Sequence, residues 1–505
     1  MRFNTLREKG YNLITIWECQ WEKQKQDNPE IQAYVAGLDF VEPLNPRDAF
    51  AGGRTNAIKL YHAVKPNEKI HYVDYTSLYP WVNKTQRYPI GHPEFISNPG
   101  TTDVTRYFGF IKCKITAPYG LYHPVLPSKE GGKLTFPLCG ACAREQLAKP
   151  TLERSAVCNH TESQRTMIGT WCTPEVEKAV EMGYEVQHIY EVWHFNESRE
   201  GLFAEYVNTW LKVKQEASGW PSWCTTEALK QKYIRDYETK EGIKLEYEKI
   251  VKNDGLRAVA KIMLNNMWGK FGQNVNKTQI QEFDDPIEFH KFLDQDSIEV
   301  QQVSVVFEKV VEVYYKHSQH DIPVDSNLNI FVAAFTTCWA RLDLYEALEM
   351  LDQRVVYFDT DSVVYLEDTD QPEQWQPEVG PFLGEFTDEL DGEYIQEFVS
   401  GGPKNYGYLK SGGKIECKVR GFSLNVEGCK YLNYKLMRDS VIAEIQNPLD
   451  KPREYQIMKT YQIYRDPKTY TLETHPESKF YRLVYDKRAI DRETFKTYPY
   501  GYFKG

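Results

Sequence analysis

The sequence predicts an α+β fold with two subdomains inserted into its core. Three observations point there. Strand-forming runs that end in acidic residues occur twice, K-I-H-Y-V-D at 69–74 and V-V-Y-F-D-T-D-S-V-V-Y at 355–365. A long stretch of helical periodicity, residues 202–271, lies between them. Two mixed or polar segments, 95–200 and 273–328, interrupt the alternation of elements.

Each element follows in order. T-L-R-E-K-G at 5–10 reads as a helix stopped by Gly10, and Y-N-L-I-T-I-W-E-C at 11–19 as a strand. V-E-P-L-N-P-R-D-A-F-A-G-G-R-T-N-A at 41–57 is an irregular loop, because Pro and Gly punctuate it. The strand at 69–74 breaks into a turn at Pro80. The helical stretch breaks at N-D-G, 253–255. V-S-V-V-F-E-K-V-V-E-V-Y-Y at 303–315 is strand-like, and 330–350 is a buried helix. The last 70 residues, rich in Tyr and Lys, show no strong period.

Bulk numbers set the bounds. With 505 residues, 41% hydrophobic and 14% aromatic, the chain has a sizeable core. No apolar run reaches the roughly 20 residues of a membrane helix, and the first ten residues carry no apolar signal stretch. No membrane partner is expected. The net charge of −11 disfavours a uniformly basic nucleic-acid binder, but phosphate contact needs only one basic face. Lys404, Lys410, Lys414, Lys418 and Arg420, opposed by Glu416, supply such a cluster. The ten cysteines are scattered except for one group, which suits a reducing compartment.

Asp359 and Asp361 sit at the tip of an apolar hairpin, and residues two apart project to one side of an extended chain. Two like charges there raise one carboxyl's pKa unless a cation lies between them. Mg²⁺ resolves the conflict, binding carboxylates together with substrate phosphates. Read alone, the tip also fits a solvated Asx turn. In Y-V-D-Y-T-S-L-Y-P, the chain turns after Asp74, so the backbone amides of Tyr75 to Tyr79, Ser77 and Leu78 among them, make an anion nest or a plain turn. Arg257, Lys261, Asn265 and Trp268 share one helical stripe, apart from an apolar face of Ala258, Ile262 and Met263. The stripe reads as a triphosphate grip or as a solvated face.

Together the three segments resemble motifs A, B and C of family B DNA polymerases. D-x-x-S-L-Y-P, K-x-x-x-N-N-x-W-G and D-T-D-S are most similar to the protein-primed branch of organellar plasmids, viruses and mobile elements. F-A-G-G-R at 50–54 resembles the Y-x-G-G motif, and P-K-N-Y at 403–406 the K-x-Y motif. The resemblance covers residues 41–505 and implies a right-hand polymerase with an antiparallel palm sheet. It implies an N-terminal remnant (1–40), palm (41–94 and 329–435), fingers (201–272) and thumb (436–505). The insertions at 95–200 and 273–328 would be the terminal-protein and processivity regions.

By the same resemblance, Asp74 and Asp361 hold two Mg²⁺ ions, or Mn²⁺, with Asp359 beside them. Arg257 and Lys261 grip the triphosphate of a deoxynucleotide, and Asn265 lies against the nascent base pair. Tyr79 excludes a 2′-hydroxyl. Lys404 and Tyr406 stabilise the primer end, and Gly52, Gly53 and Arg54 track the template. Partners would be template-primer DNA and a terminal protein, with the enzyme a monomer at a nuclear, mitochondrial or viral replication site. Trp268 and Asn266 depart from the usual Tyr and Ser, which bears on fidelity. Only 73 residues precede Asp74 and no D-x-E lies among them, so a shortened chain without proofreading is expected. Residues 5–21 resemble the tail of a very-short-patch-repair endonuclease fold, too short for a nuclease site. A reverse transcriptase and a decayed DNA-binding remnant are the competing readings.

Inside the first insertion, C-G-A-C at 139–142 and C-N-H at 158–160 offer Cys139, Cys142, Cys158 and His160 to a structural Zn²⁺. Cys172 competes for the fourth place, and reduced buried cysteines without metal are the alternative.

Overall fold

The computed structural model describes residues 10, 13–37, 41–307, 310–318, 327–422, 424, 428–447, 455–465, 469 and 471–505. They fall into two units, 1–43 and 44–505. The first holds two helices, Glu18–Asp27 and Pro29–Gly37. The strand expected at 11–19 does not form among its described residues. E-C-Q-W-E-K-Q-K-Q is dominated by strong helix formers, and that propensity carries back to Glu18. The helix expected at 5–10 lies outside the described residues.

The second unit is built on a nine-stranded antiparallel sheet. Its order runs Thr55–Ala57, Val355–Asp359, Ser362–Asp368, Glu68–Tyr75, Ile395–Gly402, Asn405–Lys410, Ile415–Val419. Phe386–Asp388 also pairs with Glu68–Tyr75, and Tyr61–Ala63 with Ile395–Gly402. Both faces are covered, which is why the hairpin sequence lacks polar alternation. Ile70, Tyr72 and Val364 enter one core with Met437 and Val441 of helix Tyr434–Gln446. Val73, Tyr75 and Val363 enter the other with Leu344 and Leu348 of helix Ile330–Leu351. Full burial of each such side chain is worth roughly 1.5–3 kcal/mol, so these two layers hold the sheet rigid.

The first insertion forms a four-stranded sheet, ordered Met167–Cys172, Gly109–Thr116, Glu185–His194, Glu94–Ser97. The helical stretch resolves into Ala204–Ser218, Glu227–Glu241 and Asp254–Phe271. The expected break at N-D-G is a cap: Asn253 Oδ1 accepts from Leu256 N at 3.0 Å. The second insertion forms a three-stranded sheet around Val310–His317. Beyond helix Tyr434–Gln446, Tyr455–Arg465 pairs with Leu472–Tyr481, a long hairpin that lacked a readable period. Among the described residues, no helix is long and apolar enough to cross a membrane.

Candidate active site

Asp74 lies at the end of the central strand, opposite Ser362 on one side and Thr387 on the other. The neighbouring hairpin closes between Asp359 and Ser362, leaving Thr360 and Asp361 as its turn. Thr360 adopts φ 63°, a conformation that costs a β-branched residue and must be imposed by its surroundings. Its amide donates to Arg54 O at 2.7 Å, and Tyr75 N donates to Asp361 O at 2.7 Å. The first ties the tip to the residue before strand Thr55–Ala57, the second to the Asp74 strand.

The three carboxylates are not equivalent. Burial, then the charges of Asp361 and Glu389, pushes the Asp74 carboxyl up to about 7. Burial, then Asp359, pushes Asp361 up to about 6. Among the described residues neither forms an ion pair. Asp359 is already satisfied: its Oδ1 accepts from Thr55 Oγ1 at 2.8 Å and from Lys404 Nζ at 2.6 Å. Two hard oxygen donors with no ion-pair partner among the described residues fit a divalent cation such as Mg²⁺.

Beside the carboxylates, Ser77 stands in a left-handed conformation and starts helix Leu78–Thr85. Tyr75 N and Thr76 N are taken by Asp361 O and Glu385 O, so the expected nest narrows to the first helical turn. There the amides of Leu78 and Tyr79 have no intrahelical acceptor. Lys214 Nζ lies 3.5 Å from Ser77 Oγ. Burial, then the charges of Arg257 and Lys261, lowers its pKa, so three cations converge on this turn. The Tyr79 ring stacks on Trp268 with centroids 4.5 Å apart. Burial, then Asp361, pushes the Tyr79 hydroxyl up to about 12.

A family model described as DNA polymerase type B, organellar and viral, matches residues 44–225 and 220–352. The chain belongs to that family. The chain is 30% identical to a Kluyveromyces lactis DNA polymerase over 151 residues, 28% of this chain and only 13% of that relative. Its fold is similar to Phi29 DNA polymerase complexed with primer-template DNA and incoming nucleotide substrates. The TM-score is 0.52 at 15% identity, covering 93% of this chain and 73% of that one. An orthorhombic form of Phi29 DNA polymerase gives 0.50 at 15% identity, over 87% and 62% of the two chains. At that identity the likeness is one of fold.

Several expected site residues do other work. Arg54 is buried and cannot track a template; its guanidinium donates to Pro124 O and Val125 O, both at 2.6 Å. Gly53 packs under the hairpin, where a Cβ would come within 2.8 Å of the Thr360 side chain. Gly52 is exposed, its carbonyl accepting from buried Arg341 at 3.1 Å. Tyr406 is buried too, its hydroxyl 3.0 Å from that of Tyr72. Its ring lies under Lys418, at 5.8 Å, and the Lys418 charge opposes the rise at Asp74. Of the basic cluster, Lys410 is buried against Leu390 O and Lys414 pairs with Glu416.

On helix Asp254–Phe271, Arg257, Lys261 and Asn265 are exposed as expected. The apolar face is not: Ile262 is exposed, and the helix seats through Ala260 and Leu264. Cys139, Cys142, Cys158 and His160 come together, their ligand atoms within 4.8 Å of one another, a set that could hold a metal ion. Cys172 lies elsewhere, near Glu175 and Cys338.

Sequence reasoning missed Lys214, Glu389, Arg482 and Lys487. Lys214 continues the buried stripe of Val207 and Leu211, and a cation on a core-facing stripe is a readable signal. Arg482 and Lys487 line a cavity of about 480 Å³ together with Gly53, Lys404 and Arg420. They come from beyond the long hairpin, and nothing local marks them.

Proposed function

We propose that residues 44–505 add deoxynucleotides to a primer 3′-hydroxyl on a DNA template. The observation that carries this reading is the pairing of Asp74 with Asp361, two half-buried carboxylates with raised proton affinity and, among the described residues, no ion-pair partner. They would hold Mg²⁺, or Mn²⁺ in its place, which supplies Lewis-acid stabilisation of the attacking and leaving oxygens. Asp359 acts as the anchor that fixes Lys404 at the edge of the site.

The remaining roles follow from position. The first-turn amides of helix Leu78–Thr85, with Lys214, Arg257 and Lys261, bind the triphosphate and offset its charge. The Tyr79–Trp268 stack forms the floor under sugar and base, with Tyr79 against the 2′-position and Asn265 toward the nascent pair. The cavity lined by Lys404, Arg420, Arg482 and Lys487 takes the primer backbone. In this reading the sheet is the palm (41–94 and 329–435), 201–272 the fingers and 436–505 the thumb. Insertions 95–200 and 273–328 serve a terminal protein and processivity, in protein-primed replication of a viral, plasmid or mobile element.

A structural zinc ion belongs on the four-ligand cluster. Zn–S and Zn–N lengths of about 2.3 and 2.05 Å at a tetrahedral centre separate sulfur from nitrogen by about 3.6 Å. His160 Nδ1 lies 3.6, 3.3 and 3.7 Å from the three sulfurs. His160 Nε2 is 2.9 Å from Glu145, the carboxylate partner that orients a metal-bound imidazole.

Primer extension with Mg²⁺ on DNA and RNA templates tests the catalytic reading. Extension on DNA is expected; no synthesis by folded wild-type protein overturns it, and preference for RNA returns the reverse transcriptase.

A further inference from the structure

The chain's last residues converge on the cysteine cluster. Phe503–Lys504 pairs in parallel with Val157–Cys158, and Gly505 N donates to Cys158 O at 3.0 Å. Leu138 N donates to Tyr500 O at 2.8 Å, one residue before Cys139. Gly501 has φ +88°, and a Cβ on it would come within 2.6 Å of Cys139 Cβ. So close an approach leaves room for no side chain. Cys139, Cys142 and Cys158 share their small core with Ala156, Ala489 and Tyr500, and Tyr500 is fully buried.

The same tail is tied to the central sheet. Thr497 N donates to Ile58 O at 2.8 Å, and Leu60 N to Phe495 O at 2.9 Å. The segment therefore runs from the long hairpin, past the sheet edge, to the insertion.

We infer that the zinc knuckle is a latch that holds the C-terminal tail, residues 498–505, against the first insertion. This rests on zinc occupying the four-ligand cluster. The physical reason is the size of what remains without it. A two-residue strand pairing is marginal by itself, and half of the buried residues around it are metal ligands. The ion joins Cys139 and Cys142, the N-cap and first turn of helix Gly140–Ala148, to the strand end at Cys158 and to His160. The tail pairs with that strand, while Tyr502 also seats on Gly120 and Tyr122. Without the ion the helix start and the strand end separate, and residues 503–505 lose the pairing that holds them. Linkage runs both ways: a seated tail buries the sulfurs and slows zinc loss.

Hydrogen exchange on the full chain tests this, in Mg²⁺, before and after a zinc-selective chelator. Amides of residues 156–158 and 498–505 should exchange about tenfold faster or more once zinc leaves, while residues 355–365 stay unchanged. In a second arm, Gly501→Val should retain zinc but release it to the chelator about tenfold faster than wild type. One equivalent of zinc with unchanged tail exchange on its removal overturns the latch and leaves the zinc site standing. Equal release rates in wild type and Gly501→Val also overturn the latch. Less than half an equivalent in purified protein overturns the zinc site itself.

Discussion

Two groups of like ligands are gathered in this chain, the carboxylates at 74 and 361 and the thiols at 139, 142 and 158. They are held in opposite ways. Asp74 and Asp361 stand on a nine-stranded sheet packed on both faces, and two backbone hydrogen bonds fix the hairpin tip. Their repulsion is tolerated because the sheet over-determines their place. The cysteines sit in a small cluster with Ala156, Ala489 and Tyr500, too little to hold four ligands together alone. In the first site the fold makes a place for an ion. In the second, the proposed zinc ion would make the fold. Removing Mg²⁺ should cost chemistry, and removing zinc should cost structure.

The largest effect that could break this contrast comes from Asp361→Asn. Primer extension should fall at least about a thousandfold, since the amide supplies neither charge nor metal affinity. Thermal melting should not fall, because the change removes a like charge from beside Asp74. A melting loss as large as that caused by zinc removal would show that the carboxylates are scaffold. Next in size is Lys404→Met. Without the 2.6 Å ion pair, the Asp359 charge acts in full on Asp361. The acid limb set by Asp361, near 6 in the wild type, should move up by about one unit, a deficit of about tenfold at pH 5 that shrinks to about twofold near pH 7. An unshifted limb would leave Lys404 a pure primer contact.

The contrast also explains what could be read from the sequence. D-T-D and the aspartate of motif A were legible because a charge pair inside strand-forming residues is costly without a cation. C-G-A-C and C-N-H were legible as spacing, yet the choice of His160 over Cys172 required the fold. Arg54 and Tyr406 look like DNA contacts in linear motifs, but one is buried under the insertion and the other behind the sheet. Gly53 carried a real constraint, the close approach of the Thr360 side chain. Burial is a property of the far side of a residue, which a motif does not show. Arg482 and Lys487 were missed because their cavity is assembled from distant segments, whereas Lys214 was readable from its core-facing stripe.

A smaller effect sharpens the nucleotide side. Tyr79→Val should raise ribonucleotide incorporation about tenfold relative to deoxynucleotide in competition assays, as a lost steric contact of one ring predicts. Unchanged selectivity in an active variant would assign the discrimination to Trp268, on which Tyr79 stacks.

The smallest effect is the most direct measure of how the sheet tolerates its carboxylates. Their proton affinities are raised, Asp74 to about 7 and Asp361 to about 6, so the folded state binds protons that the unfolded chain has released. The associated stability is fully present below about pH 4 and is lost as pH rises through 6 to 7. Mg²⁺ should restore it at pH 8, where both groups are ionised, and do nothing at pH 5. In metal-free protein, melting should fall by about 2 °C or more between pH 5 and pH 8, and Asp74→Asn should flatten that slope. Comparing wild type with the variant cancels the other groups that titrate in this range. A wild-type slope no steeper than that of Asp74→Asn would mean that Lys418 and Lys404 already neutralise the set. The sheet would then hold its three aspartates without storing any strain for an ion to relieve.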